Sequence, residues 1–360
     1  MELYRRIDRS QLQFDFVVFP GETGGLYPEI TSLGGHVFEC PRYSGGNHFA
    51  FCNWWNTFLT EHTEYHIVHA HVRSSASIYL SIAKKHGCLT IIQSHSISNG
   101  KGIPAVIKYL LQLPLRHIAD YLFSCSDAAG RWLYGENATH KSNYSIIPNC
   151  IDCKRFAYSE SVREAIRNEL GIEEDCFVVG HIGRFHEAKN HKYLVRIFKE
   201  ILNKNHNSWL LLVGDGELRG SIEALCNRFE IQERVIFTGA RRNTEQYYQA
   251  MDVFLFPSLW EGLPVSVVEA QASGLHCIIS DKITRDVQLT DLVEYYPLEK
   301  TPADWAIRAM QYAGKGRIGC KEEQQRSIMT FDSDNVAKKL QRFYLKCSME
   351  DKDEKVYYSH

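Results

Sequence analysis

Short apolar runs alternate with longer stretches whose apolar residues recur at helical spacing along most of this 360-residue chain. Runs at 14–19, 36–39, 65–70, 89–93, 121–125 and 144–147 predict strands, and 27–33, 53–60, 74–85, 103–118 and 128–134 predict the helices between them. A charged interval at 152–175 holds one surface helix, 160–170, stopped by Gly171. The alternation then restarts, with strands at 177–182, 209–213, 235–238, 252–256 and 276–280 and helices at 192–202, 218–229, 245–250 and 265–273. Helices at 303–313 and 335–346 precede a charged tail. Strand after helix in this rhythm gives parallel sheets covered on both faces. Two blocks of it predict an α/β protein of two doubly wound domains, and the length exceeds what a single core usually serves.

Composition narrows the class. Hydrophobic residues make up 44% and charged residues 23%, which are globular values. A net charge of -2 argues against a dedicated nucleic-acid binder. The opening MELYRRIDRS has no apolar signal core and no run reaches the length of a membrane span, so a cytoplasmic protein is expected. Eleven scattered cysteines suggest reduced thiols; Cys150 and Cys153 form a lone CxxC, for which neither zinc nor redox chemistry is expected.

Candidate chemistry gathers in two stretches. Residues 254–270, FLFPSLWEGLPVSVVEA, combine a buried strand, a Pro-Ser-Gly loop and a helix that Pro264 opens and Gly274 stops. In an open α/β sheet, ligands sit at such a junction. Helix-start amides attract anions, and carboxylates accept hydrogen bonds from hydroxyls. Glu261 and Glu269, with seven residues between them, suit a ligand carrying both phosphate and sugar. Residues 180–190, GHIGRFHEAKN, follow the first strand of the second half. Gly183 permits a tight turn, and Arg184 and Lys189 bring two cations to one loop. Fixed cations stabilise a leaving diphosphate most as its charge develops. The loops VGDGE at 213–217 and FTGARRN at 237–243 close the next two strands.

The first stretch resembles the E-x7-E signature of retaining glycosyltransferases of the GT-B fold, in the GT4 family, and the second resembles that family's diphosphate clamp. The resemblance implies two Rossmann-like domains facing across a cleft: an acceptor-side domain at 1–155, with helix 335–347 packing back on it, and a donor-binding domain at 156–334. It implies catalytic roles for Arg184, Lys189, Glu261 and His95, the last positioning sugar and acceptor. Donor binding would fall to Gly183, Asp215, Gly216, Gly239, Gly262, Leu263, Pro264 and Glu269, with Glu269 on the ribose hydroxyls. It further implies transfer from a nucleotide-sugar to a glycan or lipid-diphosphate-linked saccharide in polysaccharide, capsule or O-antigen assembly. UDP is the default donor base and GDP the alternative. No metal or cofactor is expected, and His66, His69 and His71 in HIVHAH are given a strand-end role. The donor sugar, the acceptor and the linkage stay open.

Three features depart from the pattern or stay ambiguous. Cys150 replaces the family's usual glycine in the inter-domain loop PNCID, where Asn149 matches. The family's first strand has no counterpart, which leaves a misassigned start, a true truncation or a substitute segment as explanations. The helix at 103–118 carries an apolar stripe fringed by Lys101, Lys108, Arg116 and His117, suited equally to the core or to the cytoplasmic face of an inner membrane. Two other functions remain open. One is a non-catalytic sugar-nucleotide-binding or partner protein. The other is a nucleotide-sugar 2-epimerase, which the EGLP wording disfavours. No GxGxxG opens either half, which disfavours a dehydrogenase.

Overall fold

The computed structural model describes residues 1–21, 25–95, 103–317 and 322–357. The chain forms two compact units, one of Met1–Pro148 with Ser333–His360 and one of Asn149–Asp332. The division falls after Pro148, ahead of the expected 155. Ile151 N already donates to Phe331 O at 2.9 Å, within the second unit.

The first unit holds β1 (Phe16–Val18), β2 (Val37–Glu39), β3 (Ile67–Ala70), β4 (Leu89–Ser94), β5 (Tyr121–Ser124) and β6 (Tyr144–Ile146). They form two parallel sheets, β1-β2 and β3-β4-β5-β6. The helix Ser333–Tyr357, longer than the sequence suggested, belongs to this unit. Its Phe343 packs on Tyr121 and Phe123, and its Tyr344 on Phe14.

Two helices replace the single one expected at 103–118. They are Ile103–Gln112 and Leu115–Ile118, parted at Pro114, whose ring and missing N–H interrupt helical bonding. Only the second turns its apolar residue inward, with Leu115 fully buried. On the first, Val106, Ile107, Tyr109 and Leu110 are each more than half exposed, at 58, 53, 53 and 58%, so that stripe is not core.

The second unit is one parallel sheet in the order β12-β11-β10-β7-β8-β9. Its strands are β7 (Phe177–Ile182), β8 (Ser208–Val213), β9 (Val235–Gly239), β10 (Val253–Phe256), β11 (His276–Ser280) and β12 (Val293–Tyr296). Every residue of β7 and β10 is buried, as central parallel strands require. Helix residues Leu194, Phe198, Ile222 and Trp305 close the core around them. β12 was not expected because VEYY is half-exposed edge without an apolar run, and the largely polar helix Glu322–Met329 escaped for the same reason.

Among the described residues, no helix is long and apolar enough to cross a membrane. Burial, ahead of the nearby Asp332 carboxylate, pushes the Cys153 thiol up to about 12. Such a thiol stays protonated and is a poor nucleophile.

Candidate active site

In the second unit the chain winds outward from β7 to β8 and β9, then returns to lay β10 on the other flank of β7. The loops after β7 and β10 therefore flank the point where strand order reverses, where open α/β sheets bind ligands. Backbone bonds stitch the neighbouring loops together. Gly183 N donates to Val213 O at 3.0 Å, Phe185 N to Asp215 O at 2.9 Å and Gly214 N to Gly239 O at 2.9 Å. Across the reversal, Leu259 N donates to Ala188 O at 2.8 Å and Asn190 Nδ2 to Pro257 O at 3.1 Å. Asn190 holds a left-handed φ of 55°, which lets the β7 loop turn directly into the helix His191–Lys204.

Glycine is required where these loops touch. Gly214 has φ +140°, and a Cβ there would lie 2.1 Å from Gly183 O. Gly214→Ala is expected to lower stability by about 1–3 kcal/mol or more through backbone strain. Gly220→Ala, whose added Cβ meets nothing within 4 Å on an adjacent helix, should be neutral or mildly stabilising. Urea midpoints of the two variants check this contrast; equal midpoints would contradict it.

The charged groups lie on this frame. Lys189 Nζ is 2.8 Å from Glu261 Oε1, with side chains only 17% and 15% exposed. The same ammonium sits 4.6 Å over the Phe256 ring. Arg184 extends into solvent, 73% exposed, with one guanidinium nitrogen 3.3 Å from Glu217 Oε2. Beneath the loop, burial holds His181 well below the usual imidazole range and His191 down at about 4. Both imidazoles are therefore neutral at pH 7, and Arg184 and Lys189 supply the loop's positive charge.

Eight residues beyond Glu261, Glu269 lies on the helix Val265–Ala272, where its Oε2 is 2.8 Å from the buried Tyr248 hydroxyl. Pro264 caps that helix, one position ahead of its expected place, and Gly274 ends it with φ +66°. Leu263 and Pro264 are buried and Gly262 half-buried. Asp215 is half exposed and accepts from Gly216 N at 2.8 Å, and Gly239 has φ +73°. Gly183, Arg184, Lys189, Asp215, Gly216, Gly239, Glu261, Gly262, Leu263 and Pro264 thus sit at the carboxyl end of one sheet or in the loops leaving it, and Glu269 on the helix that follows one of those loops.

His95 belongs to the first unit, just past β4. Its Nε2 is 2.9 Å from His71 Nδ1, and His71 stacks on His69 at 4.4 Å. His69 Nδ1 meets the Tyr344 hydroxyl instead of converging with the other imidazoles. Among the described residues, one group of donors that could hold a metal, Glu173, Asp175 and Cys176, precedes β7 at the opposite end of its sheet.

Sequence reasoning missed Tyr248 and Phe256, and it placed Glu217 in a strand-end loop and His71 at a strand end without their partners. Tyr248 orients Glu269, Glu217 pairs with Arg184, Phe256 lies under Lys189 and His71 meets His95. Nothing local separates Tyr248 from the adjacent Tyr247, since both are buried aromatics on one helix.

The family described as Glycosyl transferases group 1 matches residues 162–306. A Bacillus subtilis (strain 168) protein, EpsF, whose name describes it as a glycosyltransferase, is 34% identical over 322 residues, covering 88% of this chain and 84% of its own. The UDP-Gal:alpha-D-GlcNAc-diphosphoundecaprenol alpha-1,3-galactosyltransferase of Escherichia coli is 34% identical over 169 residues, 46% of this chain and 44% of its own. Among solved structures, Anabaena Alr3699/HepE in complex with UDP matches with a TM-score of 0.72 at 15% identity, covering 92% of this chain and 99% of that one. WaaG, a glycosyltransferase involved in lipopolysaccharide biosynthesis, matches with a TM-score of 0.61 at 15% identity, covering 88% and 99%. At such identities the structural likeness concerns the fold, which is α/β GT-B with two Rossmann-like parts.

Proposed function

Because the chain belongs to the group 1 glycosyltransferases, GT-B enzymes that transfer sugars, we propose that it moves a sugar from a UDP-sugar to a saccharide or lipid-diphosphate-linked saccharide, with retention and without a metal. The observation that carries this reading is the half-buried Lys189–Glu261 pair, held between the β7 and β10 loops with Glu269 eight residues on. A nucleoside diphosphate sugar needs a cation at the phosphates and carboxylates at sugar hydroxyls, and the pair brings both to one point.

The roles follow from the chemistry of each group. Arg184 forks onto diphosphate oxygens and Lys189 acts as a point charge beside the leaving oxygen. Glu261 accepts from hydroxyls of the transferred sugar, and Glu269, oriented by Tyr248, accepts from the ribose. As the glycosidic C–O bond breaks, charge grows on the diphosphate, and the two cations lower that barrier. The acceptor hydroxyl attacks from the same face and gives its proton to the departing phosphate oxygen. The first unit serves the acceptor, with His95 at the end of β4. UDP is favoured because relatives carry UDP or UDP-Gal in their names. The product would enter a polysaccharide or glycolipid, such as an exopolysaccharide, capsule or O-antigen.

A panel of UDP-sugars offered with undecaprenyl-diphosphate-linked and free saccharides, read by NMR of the new linkage, tests this. A product with the donor's anomeric configuration, formed in the presence of a chelator, is expected. An inverted product, or a strict metal requirement, would overturn the corresponding part.

The exposed stripe of the helix Ile103–Gln112 favours contact with the cytoplasmic face of a membrane, where such an acceptor resides. Val106, Ile107, Tyr109 and Leu110 face solvent, with Lys108 on the same helix and Arg116 just beyond it. Apolar residues flanked by basic ones suit an anionic interface. Flotation with phosphatidylglycerol-rich vesicles should carry the chain, and Ile107→Glu with Leu110→Glu should cut the bound fraction at least about tenfold, given the transfer energy of two large apolar side chains. Unchanged flotation of that variant would sink the role of this helix.

A further inference from the structure

Two buried imidazoles lie beneath the β7 loop with most of their polar atoms unused. His181, near the end of β7, is fully buried, and His191, the first residue of the helix His191–Lys204, is 2% exposed. Their ring centroids are 4.8 Å apart, with the rings at 79°. Aromatic rings flank both. His181 stacks on Phe254 at 5.9 Å and on Phe256 at 5.5 Å, and His191 stacks on Phe185 at 4.2 Å. His181 Nδ1 is 2.9 Å from Leu255 O, so Nδ1 carries the proton and Nε2 keeps a bare lone pair. Among the described residues, His181 Nε2 and both nitrogens of His191 have no hydrogen-bond partner. Buried polar atoms are nearly always satisfied, so a bare acceptor at this depth calls for a donor.

Lys189 is that donor's closest source. A Cβ built on Gly183 would lie 3.1 Å from His181 Nε2 and 3.2 Å from Lys189 Cε, so the ring edge and the lysine stem border one point at Gly183. The ammonium is one bond beyond that carbon. It rests 4.6 Å over the centroid of Phe256, the ring on which His181 also stacks. Burial and then the Lys189 charge lower His191, while burial and then the His191 and Lys189 charges lower His181. Both imidazoles therefore stay neutral beside a fixed cation.

An ammonium carries three N–H donors. One meets Glu261 at 2.8 Å, and a diphosphate oxygen takes a second when nucleotide binds. The third belongs to a side chain only 17% exposed and needs an acceptor within the protein. A second carboxylate there would cancel the charge that the diphosphate requires. A neutral imidazole nitrogen holds the ammonium and leaves its charge intact. We propose that His181 is a positioning residue for Lys189: with nucleotide bound, its Nε2 accepts an N–H from the ammonium and keeps the cation against the diphosphate. His191, packed between Phe185 and the His181 ring, steadies that ring. The inference rests on the donor-site reading above and adds to it the group that aims its cation.

Two substitutions separate the edges of the imidazole. His181→Asn keeps a donor for Leu255 O and removes the acceptor, whereas His181→Gln puts a carbonyl oxygen near the Nε2 position and gives up the Leu255 contact. With a UDP-sugar, kcat of His181→Asn is expected to fall about tenfold or more, the loss of one hydrogen bond to a charged group, with donor KM within about threefold. His181→Gln should stay closer to the parent. In a Lys189→Ala background His181→Asn should cost nothing further. Equal losses in both backgrounds, or more activity in Asn than in Gln, would overturn the proposal, because a packing role follows the Leu255 contact and ignores the lysine. Nitrogen NMR of the histidine-labelled chain at saturating UDP gives a readout without turnover. The His181 Nε2 resonance is expected to move, and to stay in place in Lys189→Ala. A shift that survives Lys189→Ala, or none in the UDP-bound parent, would overturn this role alone. Failure of UDP to bind would overturn the donor site as well, and a Lys189-dependent shift without turnover would support this role and count against sugar transfer.

Discussion

Lys189→Ala is expected to lower kcat for sugar transfer by about 100- to 1,000-fold, the usual loss when one preorganised charge at a developing anion is removed. The ammonium sits 2.8 Å from Glu261 and over Phe256, largely out of water, so its field is less screened than that of a surface lysine. Two effects combine in the variant. The leaving diphosphate loses a cation, and Glu261 loses its ion-pair partner. The loops should hold their shape, because the bonds from Leu259 N to Ala188 O and from Asn190 to Pro257 do not involve the lysine side chain. Steady-state kinetics with a melting curve separates the possibilities. A loss in kcat with an unchanged melting temperature supports the role, whereas a kcat within threefold of the parent (~0.6 kcal/mol) would remove it.

Asp252→Ala should have the largest effect on stability, about 3–5 kcal/mol, because it strips the anion from a buried cluster of arginines. Asp252 Oδ1 is 2.6 Å from Arg163, and its Oδ2 is 2.8 Å from Arg167 and 2.7 Å from Val178 N. Arg167 is almost fully buried, and burial already pushes its guanidinium below its ordinary value. Arg317 lies in the same cluster, lowered to about 10 by burial and by the Arg163 charge, with Asp252 opposing the shift. Without the aspartate these cations repel one another with no anion among them. Asp252 precedes β10, at the end of the sheet opposite the candidate site. Urea unfolding should therefore show a large drop in midpoint, while kinetic constants well below the transition stay near those of the parent. Equal losses in stability and kcat would mean that the cluster also shapes the site.

The features carried by short, strongly marked stretches were legible in the sequence. β10, its Pro-Ser-Gly loop and the helix behind it are written in FLFPSLWEGLPVSVVEA, and β7 in its unbroken apolar run. Parallel central strands leave such runs because both faces are buried. Features that depend on distant packing were not legible. Tyr248 reaches Glu269 across 21 positions, and no local pattern marks it. The stripe at 103–112 has helical periodicity whichever way it faces, and only the fold turns Val106 and Leu110 to solvent and Leu115 inward.

The most direct measurement is a calorimetric titration of the chain with UDP and with GDP, repeated on Glu269→Gln. Glu269 and Lys189 lie at one sheet reversal, so UDP is expected to bind at one site per chain. Binding should weaken by about tenfold or more in the variant, the loss of one charged acceptor for ribose hydroxyls. Binding of GDP alone would reassign the base while keeping the site. No binding of either nucleotide by folded chain, or UDP binding that Glu269→Gln leaves unchanged, would contradict a donor site between the β7 and β10 loops.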